Sequence, residues 1–208
     1  MKGSGGVVFH VMNRATRGQV LFDGPADYLV FERLIVKAQA RTRIRILAYC
    51  LMPNHWHFVL WPRHDQEVVE FIRWLTAQHA RHVHLARGTQ GTGAIYQSRY
   101  RAVAVQTETH FYRLISYVER NPVRAFLADR VEDWPWSSGS SRQGRSGIEL
   151  AEWPVPRPHD WQSLVNGEQP FEDVAFIRVR TAGQKPISRH HLTLADLAVP
   201  DPLAVEAP

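Results

Sequence analysis

The sequence predicts an α+β fold: a ferredoxin-like βαββαβ unit with an antiparallel sheet and helices on one face, followed by a further helix and a Pro-rich C-terminal tail. Three observations carry this expectation. Four short runs are rich in β-formers, two longer stretches between them place apolar residues at helical spacing, and the texture of the chain changes after Leu150.

Val7 to Met12 is short, apolar and rich in β-formers, which reads as a first strand. Asp23-Gly24-Pro25 then supplies a turn and a helix start ahead of Tyr28, Phe31, Leu34 and Ile35. Ile44 to Leu51 and His55 to Trp61 read as a hairpin, because Met52-Pro53-Asn54 between them favours a tight turn. Val68, Ile72, Leu75, His79 and Val83 recur at helical spacing, so Asp65 to about Ala86 forms an amphipathic helix that ends before Gly88. A glycine-rich loop leads to a fourth strand over Tyr100 to Val105. Thr107 then caps a helix with Phe111, Leu114, Ile115 and Val118 on one face. Beyond Leu150 lie eight of the thirteen prolines, and regular periodicity returns only at Phe171. The expected division is a catalytic domain over 1–141 and a Pro-rich tail or small subdomain over 142–208.

Composition narrows the function classes. Hydrophobic residues make up 44% and charged residues 22%, ordinary values for a soluble globular chain. A net charge of +5 with a pI near 9.7 points weakly toward an acidic partner such as a phosphate backbone. Cys50 is the one thiol, so no intrachain disulfide can form, and Met1 to Gly6 has no apolar signal core; both fit a cytoplasmic protein. The apolar stretch Ile46 to Met52 is far too short to span a bilayer, so no membrane partner is expected. No Walker-type glycine loop is found, so no nucleotide cofactor is expected either.

His55 and His57 flank Trp56 within a strand, where side chains two apart share a face, so both imidazoles can reach one cation. A pair of buried, hydrogen-bonded histidines is the competing reading. A second His-x-His, His82 and His84, lies on a helix, where residues two apart point about 200° apart and cannot pinch a metal. Among nucleophiles, Tyr117 sits at the edge of its helix's apolar stripe, about 110° from the middle, with Asn121 roughly 40° away one turn later. The Asn121 amide oxygen can therefore complete a metal site beside the phenol, although Asn121-Pro122 is also a good start for a new helix. Pro122 disfavours helical geometry at Asn121, so that angle holds only where the helix continues through Asn121. Tyr112 lies on the opposite edge, about 140° from Tyr117, and ranks second.

Several motifs in order then resemble a known family. They are Phe9-His10-Val11 with Asn13-Arg14, Tyr49-Cys50-Leu51-Met52-Pro53-Asn54-His55-Trp56-His57, and Gln97-Ser98-Arg99-Tyr100. Tyr117-Val118-Glu119-Arg120-Asn121-Pro122-Val123-Arg124-Ala125 and Trp134-Pro135-Trp136-Ser137-Ser138 complete the set. Together they resemble the REP-associated tyrosine transposases (RAYT) within the HUH single-tyrosine, IS200-like transposases. The resemblance spans about two thirds of the chain; in the tail only Ile177-Arg178 and Gln184-Lys185-Pro186 match.

The resemblance implies a ferredoxin-like core in which His55, His57 and Asn121 hold Mg²⁺ or Mn²⁺ and Tyr117 is the nucleophile. Two imidazoles and an amide suit zinc or manganese, so Mn²⁺ satisfies both arguments. The implied activity is metal-dependent cleavage and strand transfer of single-stranded or hairpin DNA, of the repetitive extragenic palindrome kind, through a phosphotyrosyl intermediate. Arg14, Arg99, Arg101, Arg120 and Arg124 crowd the same motifs and could hold phosphates or recognise guanine, with solvated surface the alternative for each. Trp56, Trp134 and Trp136 could stack on unpaired bases or pack in the core. Two other functions compete: a non-catalytic domesticated hairpin-binding protein, and a metal-dependent hydrolase using activated water. Either a monomer or a homodimer fits.

Overall fold

The computed structural model describes residues 6–64, 66–142 and 146–183. The elements run β1 (Phe9–Arg14), α1 (Pro25–Thr42), β2 (Arg45–Met52), β3 (His55–Trp61), α2 (Gln66–Arg87), β4 (Arg101–Ala104) and α3 (Glu108–Glu119). Short helices α4 (Asn121–Arg124), α5 (Ser138–Ser141) and α6 (Trp161–Asn166) follow, and then α7 (Phe171–Gly183). Up to α3 this is the order expected from the sequence. Asp65, where the second helix was expected to start, and Gln184-Lys185-Pro186 lie outside the described residues.

The four strands form one antiparallel sheet in the order β2-β3-β1-β4. Strand alternation divides the core in two. Phe9, Val11, Tyr49, Leu51, Trp56 and Phe58 meet Phe31 and Ile35 of α1 and Phe71, Ile72 and Leu75 of α2. Leu47, Cys50, Met52 and Val59 face the other way, onto Phe111, Leu114, Ile115 and Val118 of α3. Helices α1 and α2 therefore cover one face as expected, and α3 lies on the opposite one. A register shift between Ile46 and Ala48 puts Leu47 and Ala48 in the same cluster before normal alternation resumes at Tyr49.

Local chemistry sets the element ends. Pro25 opens α1, and Arg43 closes it in the left-handed region at φ 58°. Gly88 follows α2 with φ +62°, which favours glycine. The Thr107 hydroxyl accepts from the His110 backbone N–H at 3.1 Å and caps α3.

The free edge of β2 is covered by the segment after α4. Leu51 N–H donates to the Trp136 carbonyl at 2.9 Å, the Trp134 indole donates to the Leu51 carbonyl at 2.9 Å, and Ala151 N–H donates to the Ile46 carbonyl at 2.8 Å. Trp134 and Trp136 are thus edge-covering residues, and Trp136 stacks on Tyr28 at 4.8 Å. Trp161 and Val165 of α6 and Val174 and Ile177 of α7 complete the core around α3. Among the described residues no helix is long and apolar enough to cross a membrane.

Candidate active site

The site starts from the β2–β3 turn. Leu21 N–H and Phe22 N–H both donate to the Pro53 carbonyl, at 2.7 and 3.2 Å, and Ala15 N–H donates to the Asn54 carbonyl at 2.9 Å. The turn is therefore pinned by three backbone bonds where His55 begins β3. Trp56 points to the α1–α2 side, fully buried, and its indole N–H donates to the Tyr96 hydroxyl at 3.2 Å. That hydroxyl in turn meets His79 Nδ1 at 2.7 Å. With Trp56 anchored on one face, His55 and His57 share the other, their ring centroids 5.0 Å apart and nearly perpendicular.

Both imidazoles have an occupied Nδ1. His55 Nδ1 lies 2.7 Å from Asn54 Oδ1, an acceptor, so the proton is on Nδ1 and Nε2 is bare. His57 Nδ1 lies 2.9 Å from Nε2 of His10, a buried β1 residue. Burial and the neighbouring guanidinium groups of Arg14 and Arg124 lower the His55 pKa to about 4. Burial with His55, His10 and Arg124 nearby holds His57 well below its usual range, and burial with His110 nearby lowers His10 to about 3. Neutral imidazoles are the form that ligates metal. Cys50, directly opposite His57 on β2, is not in that form: burial pushes its thiol up, so it stays protonated.

Tyr117 arrives from α3. Its ring centroid is 5.8 Å from His57 and 6.3 Å from His10, and among the described residues nothing is hydrogen-bonded to its hydroxyl. Helix α3 breaks at Arg120 and restarts at Asn121-Pro122, so the helical angle expected between Tyr117 and Asn121 crosses a discontinuity. Asn121 is nonetheless held beside the tyrosine, because its Nδ2 donates to the Tyr117 and Val118 carbonyls at 3.0 and 3.3 Å. That leaves Oδ1 as the end of the amide chemically able to accept a cation. Arg124 closes the group: its guanidinium is 4.2 Å from the Tyr117 ring centroid and donates to the Tyr117 carbonyl at 2.6 Å and to Gln169 Oε1 at 2.9 Å. Burial lowers the Arg124 pKa to about 10, which keeps it charged at neutral pH. Tyr112 is engaged elsewhere, donating its hydroxyl to the Pro156 carbonyl at 2.5 Å and packing on Trp153 and Trp161.

A divalent cation suits this donor set, which offers two neutral imidazoles, one with Nε2 bare, and an amide oxygen. Among the described residues no three His, Cys, Asp or Glu side chains converge as metal ligands. A His-His-Asn set contains only two such side chains, both His.

The sequence pattern of the family described as "Transposase IS200 like" matches residues 5–121, which hold His10, His55, His57, Tyr117 and Asn121. The chain belongs to the IS200-like transposase family. It is thus one of a family of enzymes, the tyrosine transposases. A REP-associated tyrosine transposase of Escherichia coli (strain K12) is 26% identical over 137 residues, covering 64% of this chain and 76% of the relative. The solved structure of a REP-associated tyrosine transposase bound to a REP hairpin superposes with a TM-score of 0.55 at 22% identity. That match covers 76% of this chain and 92% of the other, and the two share the fold.

The remaining arginines of this IS200-like transposase fall in different places. Arg14, Arg99 and Arg101 line one cleft of about 400 Å³ with Met12, Asn13, Gln97 and Ser98. Arg124 belongs to the tyrosine cluster, whereas Arg120 donates to the Val165 and Gly167 carbonyls and ties α3 to the end of α6. Sequence reasoning included His10 and Glu119 in the motifs but gave neither a role. His10 had a signal, an ionisable residue inside an apolar strand; Glu119 had none, since its partners are distant in sequence. Its carboxylate accepts from the Ser138 hydroxyl at 2.8 Å and the Trp161 indole at 2.9 Å.

Proposed function

We propose that the protein cuts and rejoins single-stranded or hairpin DNA, with Tyr117 as nucleophile and His55, His57 and Asn121 as ligands of Mg²⁺ or Mn²⁺. The observation that carries this reading is the meeting of the Tyr117 ring with His57 at 5.8 Å, the phenol hydroxyl not bonded to any described residue. The kinship with a REP-associated transposase, and the likeness to one bound to a REP hairpin, make a REP-like hairpin the expected substrate.

The Tyr117 oxygen attacks the phosphorus and loses its proton; a P–O bond to tyrosine forms and the bond to the 3′ oxygen breaks, freeing a 3′-hydroxyl. The chemistry supplied by a bound cation is neutralisation of charge on a non-bridging phosphate oxygen. Arg124 fixes the tyrosine ring and backbone, and Asn121 is tethered to the same carbonyl. The phosphotyrosyl link conserves the energy of the phosphodiester, so a 3′-hydroxyl can reverse the attack without a nucleotide. Residues 1–141 constitute the catalytic domain in this reading. Of the segment 142–208, which this reading treats as an appendage, the described stretch 146–183 packs on α3 through Trp161, Val165, Val174 and Ile177.

Labelled hairpin DNA incubated with the full chain and Mn²⁺ is expected to give a denaturation-resistant adduct that maps to Tyr117. Tyr117→Phe should bind DNA but lose nicking and adduct together, while Tyr112→Phe keeps both. Nicking by Tyr117→Phe with protein-free product would replace this reading with water-based hydrolysis. His55→Ala and His57→Ala should each abolish cleavage with unchanged circular dichroism, since little ligand redundancy remains. Near wild-type cutting by either variant would remove the histidines from the metal site.

A further inference from the structure

Behind His57 runs a buried polar chain that reaches α7. His57 Nδ1 lies 2.9 Å from His10 Nε2, His10 Nδ1 lies 3.5 Å from the Thr181 hydroxyl oxygen, and that hydroxyl donates to the Ile177 carbonyl at 2.7 Å. His57 and His10 are 2% exposed and Thr181 9%. The Ile177 carbonyl can only accept, which gives the chain a direction. With its one proton committed at 2.7 Å to that carbonyl, the Thr181 oxygen is left as the acceptor toward His10. A neutral His10 then carries its proton on Nδ1 and presents a bare Nε2 to His57. His57 must therefore carry its own proton on Nδ1.

We propose that His10 and Thr181 are positioning residues that fix His57 in its Nδ1-protonated tautomer, keeping its Nε2 lone pair available to a divalent cation. This rests on the proposed role of His57 as a ligand. The reverse chain, with Thr181 donating to His10 and His10 donating to His57, would put the His57 proton on Nε2 and close that nitrogen to metal. Asn54 does the same for His55 from the turn, so the two imidazoles are oriented by separate devices: one local to β3, the other supplied by β1 and α7. An outer partner of a ligating histidine typically changes metal affinity 10- to 100-fold when removed.

The test uses the full chain with ¹⁵N-labelled histidine. In metal-free protein, long-range ¹H–¹⁵N correlation spectra should show His57 protonated on Nδ1, and Mn²⁺ affinity is measured separately by calorimetry. Thr181→Val, which keeps shape, and His10→Phe should each weaken Mn²⁺ binding by roughly 10-fold or more. His10→Gln, whose amide oxygen can accept from His57, should restore affinity to within a few-fold. A wild-type His57 protonated on Nε2 overturns the proposal, as does unchanged affinity in both Thr181→Val and His10→Phe when His55→Ala has lost it. If wild-type protein and His55→Ala bind Mn²⁺ alike, the metal reading falls instead, and the spectra still decide the tautomer. Should His10→Phe fail to fold, Thr181→Val and the wild-type spectra carry the decision.

Discussion

Burial holds four imidazoles neutral in the folded protein: His10 and His79 with pKa values near 3, His55 near 4, and His57 well below its usual range. In the unfolded chain each takes up a proton near the ordinary value of about 6.5. Between those limits the unfolded state binds more protons, so stability rises with pH. The histidine contribution is complete above about pH 6.5 and is lost as pH falls toward the folded values. For a fully buried group such as His10 or His79 the slope is about 1.4 kcal/mol per pH unit. The melting temperature should therefore be flat from pH 8 to 7 and fall steadily from 6.5 to 4; a flat or rising profile in thermal melts would contradict neutral burial. Of these residues, His55 and His57 were legible as a pair from strand alternation. His10 was legible only as an ionisable residue inside an apolar strand; its hydrogen-bond partners, 47 and 171 positions away, were not.

At the scale of elements, α3 matters because it delivers the tyrosine, and its last residue secures it. Glu119 is almost wholly buried and joins Ser138 and Trp161, which lie 19 and 42 residues further along the chain. Arg142 stands 3.7 Å from the same carboxylate. Removing the acceptor strands buried donors and a partly buried cation, which costs about 3 kcal/mol. Glu119→Ala should thus lower the melting temperature by roughly 6–12 °C for a chain of this size. Glu119→Gln, keeping one acceptor, should lose less; equal stability of Glu119→Ala and wild type in calorimetry would show that the contacts are not coupled to folding. The strand and helix positions themselves were readable from periodicity. β3 has the expected bounds, whereas β4 is shorter than Tyr100 to Val105, pairing with β1 only from Arg101 to Ala104.

Over the whole molecule, the net charge of +5 says nothing about where phosphates bind. The fold gathers Arg14, at the end of β1, with Arg99 and Arg101 into one cleft, and commits Arg120 to backbone carbonyls. Hairpin affinity should fall steeply with salt, and Arg14→Ala should lower the slope of log affinity against log salt by about 1. Arg120→Ala should leave the slope unchanged and lower thermal stability instead. Titrations between about 50 and 200 mM salt separate the two outcomes. Equal loss of slope in both variants would return Arg120 to the phosphate-binding set.

What the sequence determined by itself was local and periodic: strands from alternation, helices from apolar spacing, the turn at Pro53-Asn54, and the shared face of His55 and His57. The motif series also fixed the kinship, because residue types in order survive where exact geometry does not. Tertiary structure alone decided which residues stand behind these. The helix break at Asn121-Pro122 was readable from the proline, but the return of the Asn121 side chain to the Tyr117 carbonyl was not. Arg124 and Arg120, four residues apart, go to different tasks, and α7 supplies Thr181 to a histidine on the first strand. Periodicity records which face of an element is buried; it carries no information about which distant polar atom meets a buried one, and that pairing is set by how the layers pack.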